Sequence, residues 1–350
     1  MNFVQQQDVQ QILAGLGPLV ERFANKSVII SGGLGFLGRY FTACFEAMNA
    51  GPLQGREMTL WIVDTMIASG GAEPPKGSRH VQFFRKDIAD MRDPHGGVDF
   101  ILHCAGIASP AHYQKYPLET IEAALSVRSV LEIARRCDGC RVAFFSSSEI
   151  YGDPDPRHVP TMESYNGNVS PLGARACYDE SKRLGETFVR VYQSKFGVPG
   201  VIIRPFNFYG PGMQPTDYRV LPNFAAHIVR GEPVKAYGSG RQTRTYCYVT
   251  DGIEGSLRAL LEGVPGEPYN IGNPQPEISV LQLAQTIGRV LRQDVKVDVV
   301  EHPSTYPADE PQRRCPDIAK ARAQLGYEPR VALEDGLGRF FAWAREEYPR

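Results

Sequence analysis

Ser27-Val28-Ile29-Ile30-Ser31-Gly32-Gly33-Leu34-Gly35-Phe36-Leu37-Gly38 is the stretch whose reading decides the fold. Ser27 to Ile30 is short, apolar and β-branched, which suits a buried strand. After the glycines, Tyr40, Phe41, Cys44, Phe45 and Met48 recur at helical spacing. Strand, glycine turn and helix in that order form the context of a dinucleotide site. Gly32, Gly35 and Gly38 permit a tight turn, close approach of backbone to a pyrophosphate and close packing of helix on strand. The N–H groups at the helix start would hold the pyrophosphate.

Outward from this turn the pattern repeats. Thr59-Leu60-Trp61-Ile62-Val63 reads as a second strand ending in Asp64. A carboxylate there can accept from the adenosine ribose hydroxyls and repels a 2′-phosphate, so NAD is expected rather than NADP. Val81-Gln82-Phe83-Phe84 is a third strand, with Asp87 just beyond it and placed for the adenine amino group. Phe100 to Gly106 is a fourth, ending in small residues that admit a cofactor; His103 within it reads as a core histidine. Gly70 to Gly77 is expected as a surface loop, Ile121 to Arg136 as a long amphipathic helix, and Val142-Ala143-Phe144-Phe145 as a fifth strand. Ahead of the first strand, Val9, Ile12, Leu13, Leu16, Leu19, Val20 and Phe23 suggest one or two helices that pack or form an oligomer contact. The alternation predicts an α/β chain built on a doubly wound parallel sheet.

Composition narrows the function classes. The 350 residues carry a formal charge of −1, with 42% hydrophobic and 22% charged residues. Basic residues form no blocks, which argues against nucleic acid or an anionic membrane as partner. No apolar run reaches the ~18 residues of a membrane span, and the glutamine-rich start does not read as a signal peptide. Seven scattered cysteines suggest reduced thiols and a cytoplasmic protein. The single Cys137-Asp138-Gly139-Cys140 reads as a helix end and turn rather than a metal site, and no metal is expected.

The chemistry is expected at two places. Tyr178 and Lys182 stand four residues apart, on one face of a helix. A nearby ammonium favours the phenolate, which would make Tyr178 a proton acceptor for oxidising an alcohol. Ser146-Ser147-Ser148-Glu149 follows the fifth strand, at the carboxyl end where parallel sheets bind ligands. Its serines can donate to a substrate oxygen, and Glu149 can act as acid or base or simply face solvent.

Five further segments carry a resemblance: Ala108 to Tyr113, Ser148 to Pro154, Gly173 to Arg183, Tyr237 to Arg244 and Pro311 to Ile318. On these the sequence resembles the extended short-chain dehydrogenase/reductase family, among its nucleotide-sugar epimerases, dehydratases and decarboxylases. Within it the pattern looks most like the UDP-glucuronate decarboxylases (UDP-xylose synthases). The resemblance runs from about residue 26 to the C-terminus. It implies an N-terminal helical extension at 1–25, an NAD-binding Rossmann-type domain at 26–205, and a smaller α/β substrate-binding domain at 206–350 with some chain returning to the first.

By resemblance, Tyr178 takes the sugar 4-hydroxyl proton, Lys182 holds the nicotinamide ribose and lowers the tyrosine pKa, and Ser147 bonds the same oxygen. Glu149 and Arg314 match positions assigned to loss of CO2 and reprotonation. NAD contacts are expected from Gly32, Gly35, Phe36, Leu37, Gly38, Asp64, Asp87, Ile88, Ala105, Tyr178 and Lys182. Nucleotide-sugar contacts are expected from Ser109, Tyr113, Asn207, Arg219, Asn223, Tyr237, Arg244 and Arg314. A homodimer built from two helices per subunit is also implied.

Ser148 precedes Glu149 where sugar-nucleotide 4,6-dehydratases usually have aspartate, which argues against dehydration. Some positions depart from the family pattern. Gly212 replaces a common arginine and thereby removes a possible contact. Ala123-Ala124-Leu125-Ser126 lacks a usual asparagine, and Asp64-Thr65-Met66-Ile67 stands for Asp-Asn-Phe. A nucleotide-sugar 4-epimerase, a 4-keto-sugar-forming enzyme and a non-catalytic NAD-binding sensor or scaffold stay open as alternatives.

Overall fold

A computed structural model describes residues 4–67, 69, 71–91, 97–301 and 311–349. Its centre is a parallel sheet of seven strands: β1 (Ser27–Ser31), β2 (Thr59–Asp64), β3 (Val81–Arg85), β4 (Phe100–His103), β5 (Arg141–Phe145), β6 (Gly200–Pro205) and β7 (Pro268–Ile271). The order across the sheet is β7-β6-β5-β4-β1-β2-β3. The chain therefore winds outward from β1 to one edge, returns to β4, and winds to the other. The crevice between β1 and β4 is the switch point where ligands bind in such sheets.

Successive strand residues face opposite layers. Val28, Ile30, Leu60, Ile62, Leu102, Ala143 and Ile203 face one core; Ile29, Val63, Ile101, Val142, Phe144 and Ile202 face the other. The first core lies under helices α1 (Gln6–Leu16), α2 (Phe36–Ala50), α5 (Val249–Glu262) and α6 (Leu333–Glu347); the second under α3 (Pro117–Arg136) and α4 (Ala176–Phe196). Burial on both faces explains why the central strands read as continuous apolar runs. Helix α3 starts four residues earlier than its apolar period suggests, because Pro117 fits the first turn, where no N–H is needed. Helix α4 stops at Gly197, whose φ of +71° closes the last turn.

The N-terminal segment packs within its own chain. Helix α1 lies on α5 and α2. Its Asp8 is buried and accepts from the hydroxyls of Tyr248 at 2.9 Å and Tyr40 at 3.3 Å. Burial raises the Asp8 pKa above the ordinary carboxylate value, against the pull of these donors.

The region after 205 is not one continuous unit. Short strand pairs occur at Phe208–Tyr209 with Cys247–Tyr248 and at Val234–Tyr237 with Val297–Val300. Thr243–Arg244 lies between Ile278–Ser279 and Arg313–Arg314. Between these pieces the chain returns to the main layers as α5 and as edge strand β7. Asp251 in α5 accepts from the Val331 N–H at 2.9 Å, a structural role. The expected loop at 70–77 has no regular structure over its described residues, but Ala72 is buried; Gly70 lies outside the described residues.

Candidate active site

The glycine turn is built for close contact. Gly32 has φ +71°, and a Cβ on it would stand 2.7 Å from the Ala105 backbone. A Cβ on Gly38 would meet the Gly32 carbonyl at 2.3 Å, so Gly38 sets the seating of α2 on the turn. Gly35 differs: a Cβ there has only the Gly32 oxygen nearby, at 3.2 Å. Gly35, Phe36, Leu37 and Gly38 line a cavity above the start of α2.

Asp64 ends β2 with its carboxylate fixed by the N–H groups of Leu34 at 2.9 Å and Met66 at 2.7 Å. It shares an adjoining cavity with Asp87, Ile88 and Ala105. Asp87 also accepts from the Ala89 N–H at 2.8 Å, capping a single 3-10 turn. Below this floor, His103 lies between the hydroxyls of Ser31 (2.6 Å) and Ser126 (3.1 Å). Burial, with the Lys182 charge, pushes its pKa down to about 3, so it is a neutral, satisfied core histidine. Ser126, in the helix where the resemblance would have an asparagine, supplies one of these partners.

Helix α4 carries Tyr178 and Lys182 on its buried face. The Ser147 hydroxyl hydrogen-bonds the Tyr178 phenol, and the Tyr113 ring stacks on it with centroids 5.5 Å apart and planes 14° apart. Lys182 Nζ donates to the Phe145 carbonyl at 2.8 Å and lies 5.7 Å from the Tyr178 ring centre. A Cβ on Gly106 would sit 3.0 Å from that ammonium, so the glycine leaves it room. The electrostatics correct one expectation. Burial raises the Tyr178 pKa, with the Ser147 hydrogen bond opposing. Lys182 itself is pushed down to about 8 by burial.

One turn further along, Glu186 fixes the neighbouring loop. It accepts from Ser146 Oγ at 2.5 Å and from Arg204 at 2.9 and 2.6 Å. Arg204 donates on to the Tyr151 hydroxyl at 2.7 Å, and Tyr151 to Asn270 Oδ1 at 2.7 Å. Asn270 donates to the carbonyls of Thr161 and Asp317. This buried network ties the Ser146–Tyr151 loop to the segment that brings in Arg314.

Arg314 sits beside Arg244 in parallel register, and its Nη2 meets Glu149 Oε2 at 2.6 Å across 165 residues of sequence. Arg175 Nη2 contacts the same oxygen. These three line a second cavity with Tyr113, Asn207, Arg219, Asn223, Tyr237 and Arg244. Arg244 donates to the carbonyls of Thr243, Gln312 and Pro311, bracing the Arg314 segment. Arg219 is forked onto Asp217, with Nε at 2.8 Å; Asp217 also accepts from Ser109 Oγ at 3.3 Å. Asn207, at φ +46°, donates to the Thr245 carbonyl at 2.8 Å.

Every residue expected from sequence therefore lines one of three adjoining cavities. Three others were missed. Arg175 lies three residues before Tyr178, a spacing that shares a helix face and could have flagged it. Asp217 is two residues from Arg219, and only its fork gives it meaning. Arg39 reaches from α2 to the Gly212 carbonyl at 2.8 Å, and burial pushes its pKa down to about 10. A guanidinium thus stands against Gly212, where the resemblance expected an arginine to be lost. Among the described residues no His, Cys, Asp and Glu group could hold a metal, and no helix is long and apolar enough to cross a membrane.

The NAD dependent epimerase/dehydratase family matches residues 28–272. UDP-glucuronic acid decarboxylase 6 of Arabidopsis thaliana is 37% identical over 90% of this chain and 87% of its own length. A dTDP-glucose 4,6-dehydratase from Streptomyces venezuelae, solved with NAD bound, superposes with a TM-score of 0.75 and 26% identity, covering 92% of this chain and 97% of its own. A UDP-glucuronic acid 4-epimerase from Bacillus cereus, in complex with UDP-glucuronic acid and NAD, has a TM-score of 0.76 over 92% of this chain and all of its own. At 23% identity this last likeness concerns the fold alone.

Proposed function

The chain belongs to the NAD dependent epimerase/dehydratase family, and we propose that it is a decarboxylase of a nucleotide-activated uronic acid, UDP-glucuronate, working through a 4-keto intermediate. The observation that carries this reading is Glu149 held on Arg314 beside Tyr178, which 4-epimerisation does not require.

The residues fit NAD. The turn admits a pyrophosphate over Gly35, where a side chain would project into the cavity. Asp64 presents an anchored carboxylate suited to ribose hydroxyls and unsuited to a 2′-phosphate. NAD, when bound, would supply a reversible hydride acceptor for sugar C4, so the cycle has no net redox change.

Tyr178 takes the 4-hydroxyl proton, with Ser147 donating to the same oxygen. Because burial raises the phenol, the Ser147 bond and the fixed ammonium of Lys182 offset part of the cost of forming the phenolate. The resulting 4-keto group stands β to the C6 carboxylate. When the C5–C6 bond breaks, its electron pair passes into the C4 carbonyl and CO2 leaves. Glu149 and Arg314 face this step and the protonation at C5 that follows. Arg219, Arg244, Asn207, Asn223, Tyr237 and Ser109 would hold the nucleoside diphosphate, where forked guanidinium donors match paired phosphate oxygens. We assign cofactor binding to 26–205, substrate binding mainly to 206–350, and packing to the N-terminal extension.

A homodimer through α3 and α4 is part of the proposal. Leu118 (71% exposed), Ile121, Leu125 (57%), Leu184 and Val191 present apolar side chains outward on these two helices. Two copies pairing these faces would bury them in a four-helix contact. The cytoplasm is the proposed location, supported by seven cysteines that are all free thiols.

Incubation with UDP-glucuronate, followed by mass spectrometry and proton NMR, tests the activity. Release of CO2 with a UDP-pentose product is expected. An unchanged mass with inverted C4 would make the enzyme an epimerase, and bound NAD without turnover would favour a sensor.

A further inference from the structure

The contact at Glu149 has an unusual economy. One carboxylate oxygen, Oε2, meets Nη2 of both Arg314 and Arg175. The two guanidinia reach it from different elements: Arg175 stands at the N-cap of α4, and Arg314 comes from the short strand beside Arg244. The arginine side chains are each 9% exposed and that of Glu149 16%, so water screens the cluster weakly. Asp179 stands 3.9 Å from Arg175 Nε and anchors that guanidinium from behind. The cavity that the cluster lines is also lined by Tyr113, whose ring stacks on Tyr178, so the arginines share a cavity wall with a neighbour of that tyrosine.

Two guanidinia aimed at one point recognise a carboxylate group as such, because each offers directed, charged donors. Glu149 fills that place with its own side chain. A second carboxylate entering beside it would meet like charge in a site of low dielectric. The two can coexist only if one leaves the guanidinium pair.

We propose that Arg175 is a specificity-determining residue: with Arg314 it forms a two-guanidinium slot for the C6 carboxylate of a nucleoside-diphospho-uronate, and Glu149 is the internal occupant that this carboxylate displaces. The inference rests on the uronate reading above and adds two consequences to it. Arg175 separates uronates from neutral hexoses. Glu149 competes with the substrate in the ground state, so removing its charge should tighten uronate binding even as turnover is lost.

The test is calorimetric titration of NAD-loaded protein with UDP-glucuronate and with UDP-glucose, in a Tyr178→Phe background that stops turnover. The parent should prefer the uronate. Arg175→Gln should lower that preference roughly 10- to 100-fold, as expected for loss of a charged hydrogen bond, with UDP-glucose affinity unchanged. Arg175→Lys should keep part of the preference, and Glu149→Gln should raise it several-fold. An unchanged preference in Arg175→Gln, or weaker uronate binding in Glu149→Gln, overturns the slot. If Arg175→Gln misfolds, Arg175→Lys decides, since a purely structural role would weaken both sugars equally. CO2 release is scored separately on the chain with Tyr178 intact. Release with an unchanged preference sinks the slot alone; a shifted preference without release sinks the decarboxylase reading alone. A parent with no preference sinks both.

Discussion

The cofactor side and the substrate side of the cleft are made of different materials. At the glycine turn the contacts are backbone: N–H groups at the start of α2, the Val63 carbonyl accepting from Gly32 N at 2.8 Å, and a carboxylate held by two further N–H groups. On the substrate side they are charged side chains forked onto one another: Glu149 with Arg175 and Arg314, Asp217 with Arg219. A backbone site tolerates few residue types at a few adjacent positions. A side-chain site needs partners from distant parts of the chain. The first should therefore fail by steric insertion and the second by loss of charge.

The largest effect should come where the two sides meet. Tyr178→Phe removes the proposed acid–base group and should cut turnover about 10³-fold while NAD stays bound, read as product formation against cofactor content after gel filtration. On the substrate side, Arg314→Ala should slow CO2 release about 10²-fold. Reduced nicotinamide should accumulate by absorbance if oxidation at C4 survives; equal loss of both steps would break the separation between the two sides.

Two glycines divide the cofactor side by mechanism. Gly38→Ala forces a Cβ to within 2.3 Å of the Gly32 carbonyl and should cost about 1–3 kcal/mol of stability, seen as a lower Tm. Gly35→Ala meets only a 3.2 Å contact, so its Tm should hold while NAD affinity drops by about tenfold or more through blocked backbone approach. Equal melting temperatures with equal NAD affinities would refute the steric account.

The smallest expected effect concerns pH. Burial lowers Lys182 to about 8, whereas in the unfolded chain it titrates near its ordinary 10.5. Between these values the unfolded chain binds more protons, so this group adds stability as pH rises through that window; below about 8 its full penalty is present. Binding runs the other way. The ammonium that would hold the ribose is lost above about 8, so NAD affinity should fall there, and Lys182→Met should flatten the dependence. Titrations from pH 6.5 to 9.5 would show it.

The cofactor side was legible in the sequence because its causes are local. Gly32, Gly35 and Gly38 are spaced by the turn they make, and Asp64 follows its strand directly. Tyr178 and Lys182 were legible for the same reason, since a helix puts residues four apart on one face. The substrate side was legible only where a motif could be recognised. Arg314 and Glu149 were both named by resemblance, but their contact across 165 residues was not. Arg175 went unnoticed although its motif was in view. Arg39 approaches Gly212 from the opposite half of the chain, and no spacing rule connects residues 173 apart. The direction of the Tyr178 pKa was also misjudged: helix geometry predicts proximity of the ammonium, whereas the proton affinity is set by burial from every side.

By itself the sequence determined the doubly wound sheet, the dinucleotide turn and the paired tyrosine and lysine, because strand alternation, glycine freedom and helical period act over a few residues. Only the tertiary structure decided which arginines converge on Glu149, which carboxylate holds Arg219, and how deeply Tyr178 is buried. Those are sums over neighbours brought together by the fold, and the strength of each interaction depends on the water that the rest of the chain excludes.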